Sequence, residues 1–111
     1  MLSRKYAADR LVTLVTTEWV LVEVADGLAS RPLRSAFVQL MHRINTLPGT
    51  QIIHADHAMF DFATDLYAQR PDKDWSLTDC TSFLVMRRHG IVEALTADHH
   101  FEQAGFTALL K

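Results

Sequence analysis

Ile91-Val92-Glu93-Ala94-Leu95-Thr96-Ala97-Asp98-His99-His100-Phe101-Glu102-Gln103-Ala104-Gly105-Phe106-Thr107-Ala108-Leu109 carries the pattern on which the fold turns. Residues 91–96 read as a strand, Asp98 is placed to cap a short helix over 98–104, Gly105 closes that helix, and 106–109 read as a last short strand. Two strands joined through a helix need a crossover connection, which lays them parallel in one sheet. An acid stands where the first strand hands over to the helix, at the sheet edge where ligands of open α/β folds bind.

The same alternation extends back toward the N-terminus. Residues 76 to about 88 form a helix with Leu77, Cys80, Leu84 and Val85 inward, and Arg87, Arg88 and His89 set favourably against the dipole of its last turn. Gly90 ends it, and Arg70-Pro71-Asp72-Lys73-Asp74 before it is a solvated loop. Gln51-Ile52-Ile53-His54 is a strand, and Asp56 caps a helix whose Met59, Phe62, Ala63, Leu66 and Tyr67 lie on one stripe. Leu33, Phe37, Leu40, Met41, Ile44 and Leu47 mark one face of a further helix, stopped by Pro48-Gly49. Thr13-Leu14-Val15-Thr16 is a strand, and Thr17 caps a helix running to about Ala29. Residues 1–11 read as a short helix ending in Asp9-Arg10. The sum is a three-layer α/β/α arrangement with a mainly parallel sheet. No repeat, linker or low-complexity tract divides residues 1–111, so one domain is expected.

Composition narrows the function classes. A chain of 111 residues with 49% apolar content is a globular protein with one modest core. A net charge of −2 excludes a strongly basic nucleic-acid binder while leaving room for a local basic patch. The lone Cys80 rules out an internal disulfide framework and suits a reducing compartment, so the cytoplasm is expected. No apolar run reaches the 18 or so residues of a membrane span, and no secretory signal core follows Met1.

Three acids stand out: Glu23 within Val22-Glu23-Val24, Asp79 within Thr78-Asp79-Cys80, and Asp98. Each lies near a strand end or in an early helical turn, so the fold permits them to converge. If they meet, they form an acidic pocket suited to a hard divalent cation. Each also has a plain structural account. Glu23 fits a rim carboxylate pointing to water, Asp79 completes the capping box Ser76-x-x-Asp79, and Asp98 is an N-cap. Thr78 fits a helix start, or a hydroxyl that holds a metal-bound water. His54-Ala55-Asp56-His57 and Asp98-His99-His100 lack paired zinc-ligand spacing, and adjacent His99 and His100 should point to different faces, so at most one joins Asp98. Cys80 reads as a small core residue.

Taken together, Thr16-Thr17-Glu18-Trp19-Val20-Leu21-Val22-Glu23, Asp72-Lys73-Asp74-Trp75-Ser76-Leu77-Thr78-Asp79-Cys80-Thr81-Ser82-Phe83 and Glu93-Ala94-Leu95-Thr96-Ala97-Asp98-His99-His100-Phe101-Glu102-Gln103-Ala104-Gly105-Phe106 resemble the PIN-domain family, which includes the VapC-type toxins of bacterial toxin-antitoxin pairs. The resemblance spans about Leu14 to Leu109. It implies a metal-dependent endoribonuclease that hydrolyses RNA with carboxylate-bound Mg²⁺ or Mn²⁺. By motif position Glu23, Asp79 and Asp98 match acidic metal ligands, and Thr78 a hydroxyl residue beside the second. An antitoxin protein and a homodimer are the implied partners, with Lys73, Arg87 and Arg88 near enough to meet an RNA backbone.

One part of the family pattern has no match here. Members open with an apolar central strand ending in an Asp followed by Ser or Thr, and that Asp is the first ligand. The resemblance therefore implies an N-terminally truncated PIN-like domain, short of one carboxylate, with unpaired groups on the strands flanking the gap and with impaired or absent activity. The rival function is a non-catalytic interaction module of toxin-antitoxin type. A phosphoacceptor receiver domain is a third, but its paired acids after the first strand and its late Lys are missing.

Overall fold

The computed structural model describes residues 2–6 and 12–110. Five strands and five helices follow one another as β1 (Leu2–Tyr6), β2 (Val12–Thr17), α1 (Glu18–Gly27), α2 (Arg34–Thr46), β3 (Thr50–Ile53), α3 (His57–Gln69), α4 (Leu77–Arg88), β4 (Glu93–Leu95), α5 (His99–Gln103) and β5 (Thr107–Ala108). The strands form one sheet in the order β3-β2-β1-β4-β5. β2 and β3 pair in parallel from Leu14 opposite Thr50 to Thr17 opposite Ile53, and β4 and β5 pair in parallel at Glu93 with Thr107 and Ala94 with Ala108. β1 is antiparallel to both β2 and β4. Four strands thus share one direction and the central one opposes them.

Side-chain alternation along β2 sorts the helices into layers. Val15 is buried in a cluster with Met59 and Ala63 of α3, Cys80, Phe83, Val85 and Met86 of α4, and Ala94 and Phe101. Its neighbour Leu14 points the other way, into a hollow shared with Leu40, Ile44 and Leu47 around α2. The result is the expected α/β/α sandwich, with α3 and α4 on one face and α2 on the other.

Helix starts follow their caps. Thr17 Oγ1 accepts the Val20 N–H at 3.2 Å, and Asp56 Oδ1 accepts the Met59 N–H at 2.7 Å. Thr17 ends β2 and Asp56 lies shortly after β3, so the turns after β2, β3 and β4 open on one edge of the sheet. Gly105, at φ +96, makes the left-handed turn from α5 into β5.

Four sequence expectations are corrected. Within residues 1–11 the described segment, 2–6, is a strand and not a helix; residues 1 and 7–11 lie outside the described residues. Ser3-Arg4-Lys5-Tyr6 lacks the apolar alternation of a half-buried strand, and pairing on both sides overrides that weak local signal. β1 also supplies the main-chain partner that β2 and β4 were expected to lack. The inward stripe of α3 is narrower than its periodicity suggests: Met59 and Ala63 are buried, whereas Phe62 and Tyr67 are 53% and 54% exposed. Conversely α4 buries Cys80, Thr81, Ser82, Phe83, Val85 and Met86, nearly its whole circumference, because sheet, α1, α3 and α5 all pack around it.

Candidate metal centre

Asp98 follows β4 and caps α5, its Oδ1 accepting the His100 N–H at 2.9 Å. Its own N–H donates to Thr96 Oγ1 at 3.1 Å, which fixes the turn. Asp79 is the third residue of α4 and closes a reciprocal capping box: the Ser76 N–H donates to Asp79 Oδ2 at 3.1 Å, and the Asp79 N–H donates to Ser76 Oγ at 2.9 Å. Both acids therefore play the structural roles their sequence positions suggest. The fold adds a further relation between them.

His100 brings the two carboxylates together. Its Nδ1 lies 3.1 Å from Asp79 Oδ2 and 3.4 Å from Asp98 Oδ1. The imidazole and Asp79 are largely buried, at 19% and 15% side-chain exposure, while Asp98 is more open at 39%. Among the described residues no hydrogen bond reaches Asp79 Oδ1 or Asp98 Oδ2, so each carboxylate keeps an oxygen for another partner.

Glu23 stands on the exposed side of α1. It lines a cleft of about 410 Å³ with Glu18, Trp19, Val22, Asp26 and Thr78. Thr78 thus joins Glu23 in the cleft while its chain neighbour Asp79 turns to His100. Among the described residues, the set of three ligating side chains whose atoms all lie within 4.8 Å of one another is Asp98, His99 and His100, and not the three acids.

Sequence reasoning missed three contributors. Adjacent His99 and His100 were expected on different faces, yet both reach Asp98, with His99 Nδ1 at 3.7 Å and the two rings 4.4 Å apart. In the first turn of a helix, side chains lean back toward the N-terminus, which here is the Asp98 cap. Glu18 is the third. Its Oε1 accepts the Ala55 N–H at 2.6 Å and lies 3.4 Å from His54 Nδ1, tying α1 to the loop after β3. Cys80, beside Asp79 in the chain, is fully buried; burial first and the Asp79 charge second push its thiol above its ordinary range. That leaves a neutral core residue, not a nucleophile.

The central strand contributes no acid to this edge. Because β1 is reversed, its last residue Tyr6 lies opposite Val12, at the amino end of β2. The donors gathered on the carboxyl edge are carboxylates, a hydroxyl and the imidazoles of His99 and His100; the oxygens among them fit a hard divalent cation that retains several waters.

An α/β/α sandwich with a mainly parallel sheet and this order of elements is the arrangement of PIN-type domains. No family model matches the sequence. The chain is 29% identical over 105 residues to the 23S rRNA-specific endonuclease VapC20 of Mycobacterium tuberculosis, in strains CDC 1551 and H37Rv alike, a match covering 94% of this chain and 79% of the relative. It superposes on the crystal structure of Mycobacterium tuberculosis VapC20, described as a sarcin-ricin loop cleaving toxin, with a TM-score of 0.75 at 28% identity, over 86% of this chain and 72% of that one. In both sequence and fold the chain is similar to the PIN-domain toxins of the VapC type. Nucleases of that type depend on a divalent metal ion.

Proposed function

We propose that this chain is a Mg²⁺-dependent endoribonuclease that cleaves structured RNA of the ribosomal kind its relative VapC20 acts on. The observation that supports it most is the pairing of Asp79 and Asp98 about one imidazole nitrogen at the carboxyl edge of a VapC-like fold. Asp79, Asp98 and Glu23 would hold the ion, with Thr78 placing a water at the Glu23 side. Bound there, Mg²⁺ (or Mn²⁺) lowers the pKa of a coordinated water and neutralises charge on the phosphate. The chain's own work is to fix the carboxylates: helix caps and His100 hold Asp79 and Asp98 before any ion arrives. With no acid delivered by β1, ion affinity is weaker and cleavage slower than a four-carboxylate site gives.

A 23S rRNA fragment containing the sarcin-ricin loop, incubated with the protein and Mg²⁺ or Mn²⁺, should be cut at a discrete position and left intact with chelator. Asp79→Asn keeps an acceptor for the Ser76 N–H, so it should abolish cutting with little loss of stability. Asp79→Ala should in addition lose about 1 kcal/mol in urea unfolding from the broken cap. Wild-type cutting by Asp79→Asn would leave Asp79 as a cap alone and sink this assignment.

The second reading, a non-catalytic module that pairs with an antitoxin-like peptide or with itself, draws on a hollow of about 550 Å³ between α1 and α2, lined by Leu21, Val22, Ala25, Phe37, Met41 and Ile44. It predicts assembly with a partner alongside intact RNA, and a monomeric sedimentation profile in the partner's presence would count against it. Either role is exercised in the cytoplasm. Among the described residues no helix is long and apolar enough to cross a membrane.

A further inference from the structure

We infer that Asp98, His99 and His100 form a site for a borderline transition-metal ion, with Zn²⁺ as its type, whose occupation switches the nuclease off. The ligand atoms of these three residues all lie within 4.8 Å of one another. From Asp98 Oδ1, His99 Nδ1 is 3.7 Å away and His100 Nδ1 3.4 Å. Bonds of roughly 2.0–2.1 Å in tetrahedral array set neighbouring ligands about 3.4 Å apart, so the side chains need move only a little to close on Zn²⁺.

Donor chemistry selects the ion. Two imidazoles and one carboxylate suit Zn²⁺ and its neighbours, whereas Mg²⁺ takes oxygen. An independent feature supports the same conclusion. Asp79, itself 15% exposed, places Oδ2 3.1 Å from His100 Nδ1, so this nitrogen faces negative charge from two carboxylates and the position favours a cation. His99, at 65% exposure, leaves the ion a path from solvent. The cation is held by side chains; the end of the short helix α5 has no part in it.

The inhibitory consequence rests on the reading of Asp98 as a Mg²⁺ ligand, since an ion held by His99 and His100 takes Asp98 out of the nuclease site. The Zn²⁺ site itself stands apart from that reading. Calorimetric titration of Zn²⁺ into the full chain in excess Mg²⁺ should show one ion per chain. His99→Ala and Asp98→Asn should weaken it about tenfold or more, and Glu23→Gln should leave it unchanged. In the RNA assay, Zn²⁺ at a level that halts wild-type cutting should leave His99→Ala active. Zn²⁺ bound by His99→Ala as tightly as by wild type, or equal inhibition of the two, would overturn the site. If wild type with Mg²⁺ alone leaves RNA intact, the nuclease reading fails, while the calorimetry still decides the Zn²⁺ site.

Discussion

Single residues at this site each hold more than one contact. Asp79 Oδ2 accepts from the Ser76 N–H and meets His100, so the cap that starts α4 also aims the carboxylate. Asp98 does the same for α5. A structural role is therefore compatible with the proposed site role, because capping supplies the rigidity that ion binding needs. Beneath Asp79, Cys80 gives a pH signature. Its folded thiol titrates above the unfolded one, so as pH rises through the ordinary thiol range the unfolded chain loses its proton while the folded chain keeps it. Stability then falls with pH in that window. In urea unfolding of wild type beside Cys80→Ala, the wild type should lose stability faster between pH 8 and 10; parallel curves would show that Cys80 ionises equally in both states.

Among elements, α4 bears most of the packing. Phe83, fully buried, meets Trp75 and Phe101 edge-on at 4.9 Å each, and Phe106 at 5.7 Å, so one ring joins α4 to the loop before it and to the α5-β5 unit. Phe83→Ala should cost about 3–5 kcal/mol, a large share of the roughly 5–15 kcal/mol such domains possess. Phe62→Ala on α3, half-exposed despite its place in the apolar stripe, should cost about 0.5 kcal/mol. Denaturant midpoints decide, and equal losses would mean that α3 buries the wider face. The caps at Thr17, Asp56, Ser76 and Asp98 were legible in the sequence because capping is a contact over two or three residues. β1 was not, since its strand state comes from pairing with chain 6 to more than 90 residues away. His100 was missed for a related reason: its approach to Asp79 across 21 residues needs α4 and α5 already docked. The acids could be named from sequence, but not the imidazole between two of them.

At the scale of the whole molecule, the question is how a chain of net charge −2 receives a polyanion at an acidic edge. Glu18, Glu23 and Asp26 line the cleft beside Thr78, so the bare site repels phosphate and a cation from the protein must offset this locally. Arg87 and Arg88, expected close to the acids, are eight and nine residues beyond Asp79 on α4, some 12–14 Å away at the opposite end of that helix. Arg88 lies over the Phe62 ring at 5.7 Å. Arg70 is committed to Asp72 through two 3.0 Å bonds and sits 5.0 Å from the Trp75 ring. Lys73 is different. It lines a hollow with Tyr67, Trp75 and Ser76, at the end of α4 that carries Asp79. Lys73→Ala should therefore weaken RNA binding and reduce the slope of log affinity against log salt by about 0.7–0.9. The double variant Arg87→Ala, Arg88→Ala should leave slope and cleavage unchanged. Filter binding across a salt series gives both numbers, and the reverse pattern would place the RNA at the far end of α4, away from every carboxylate assigned to the site.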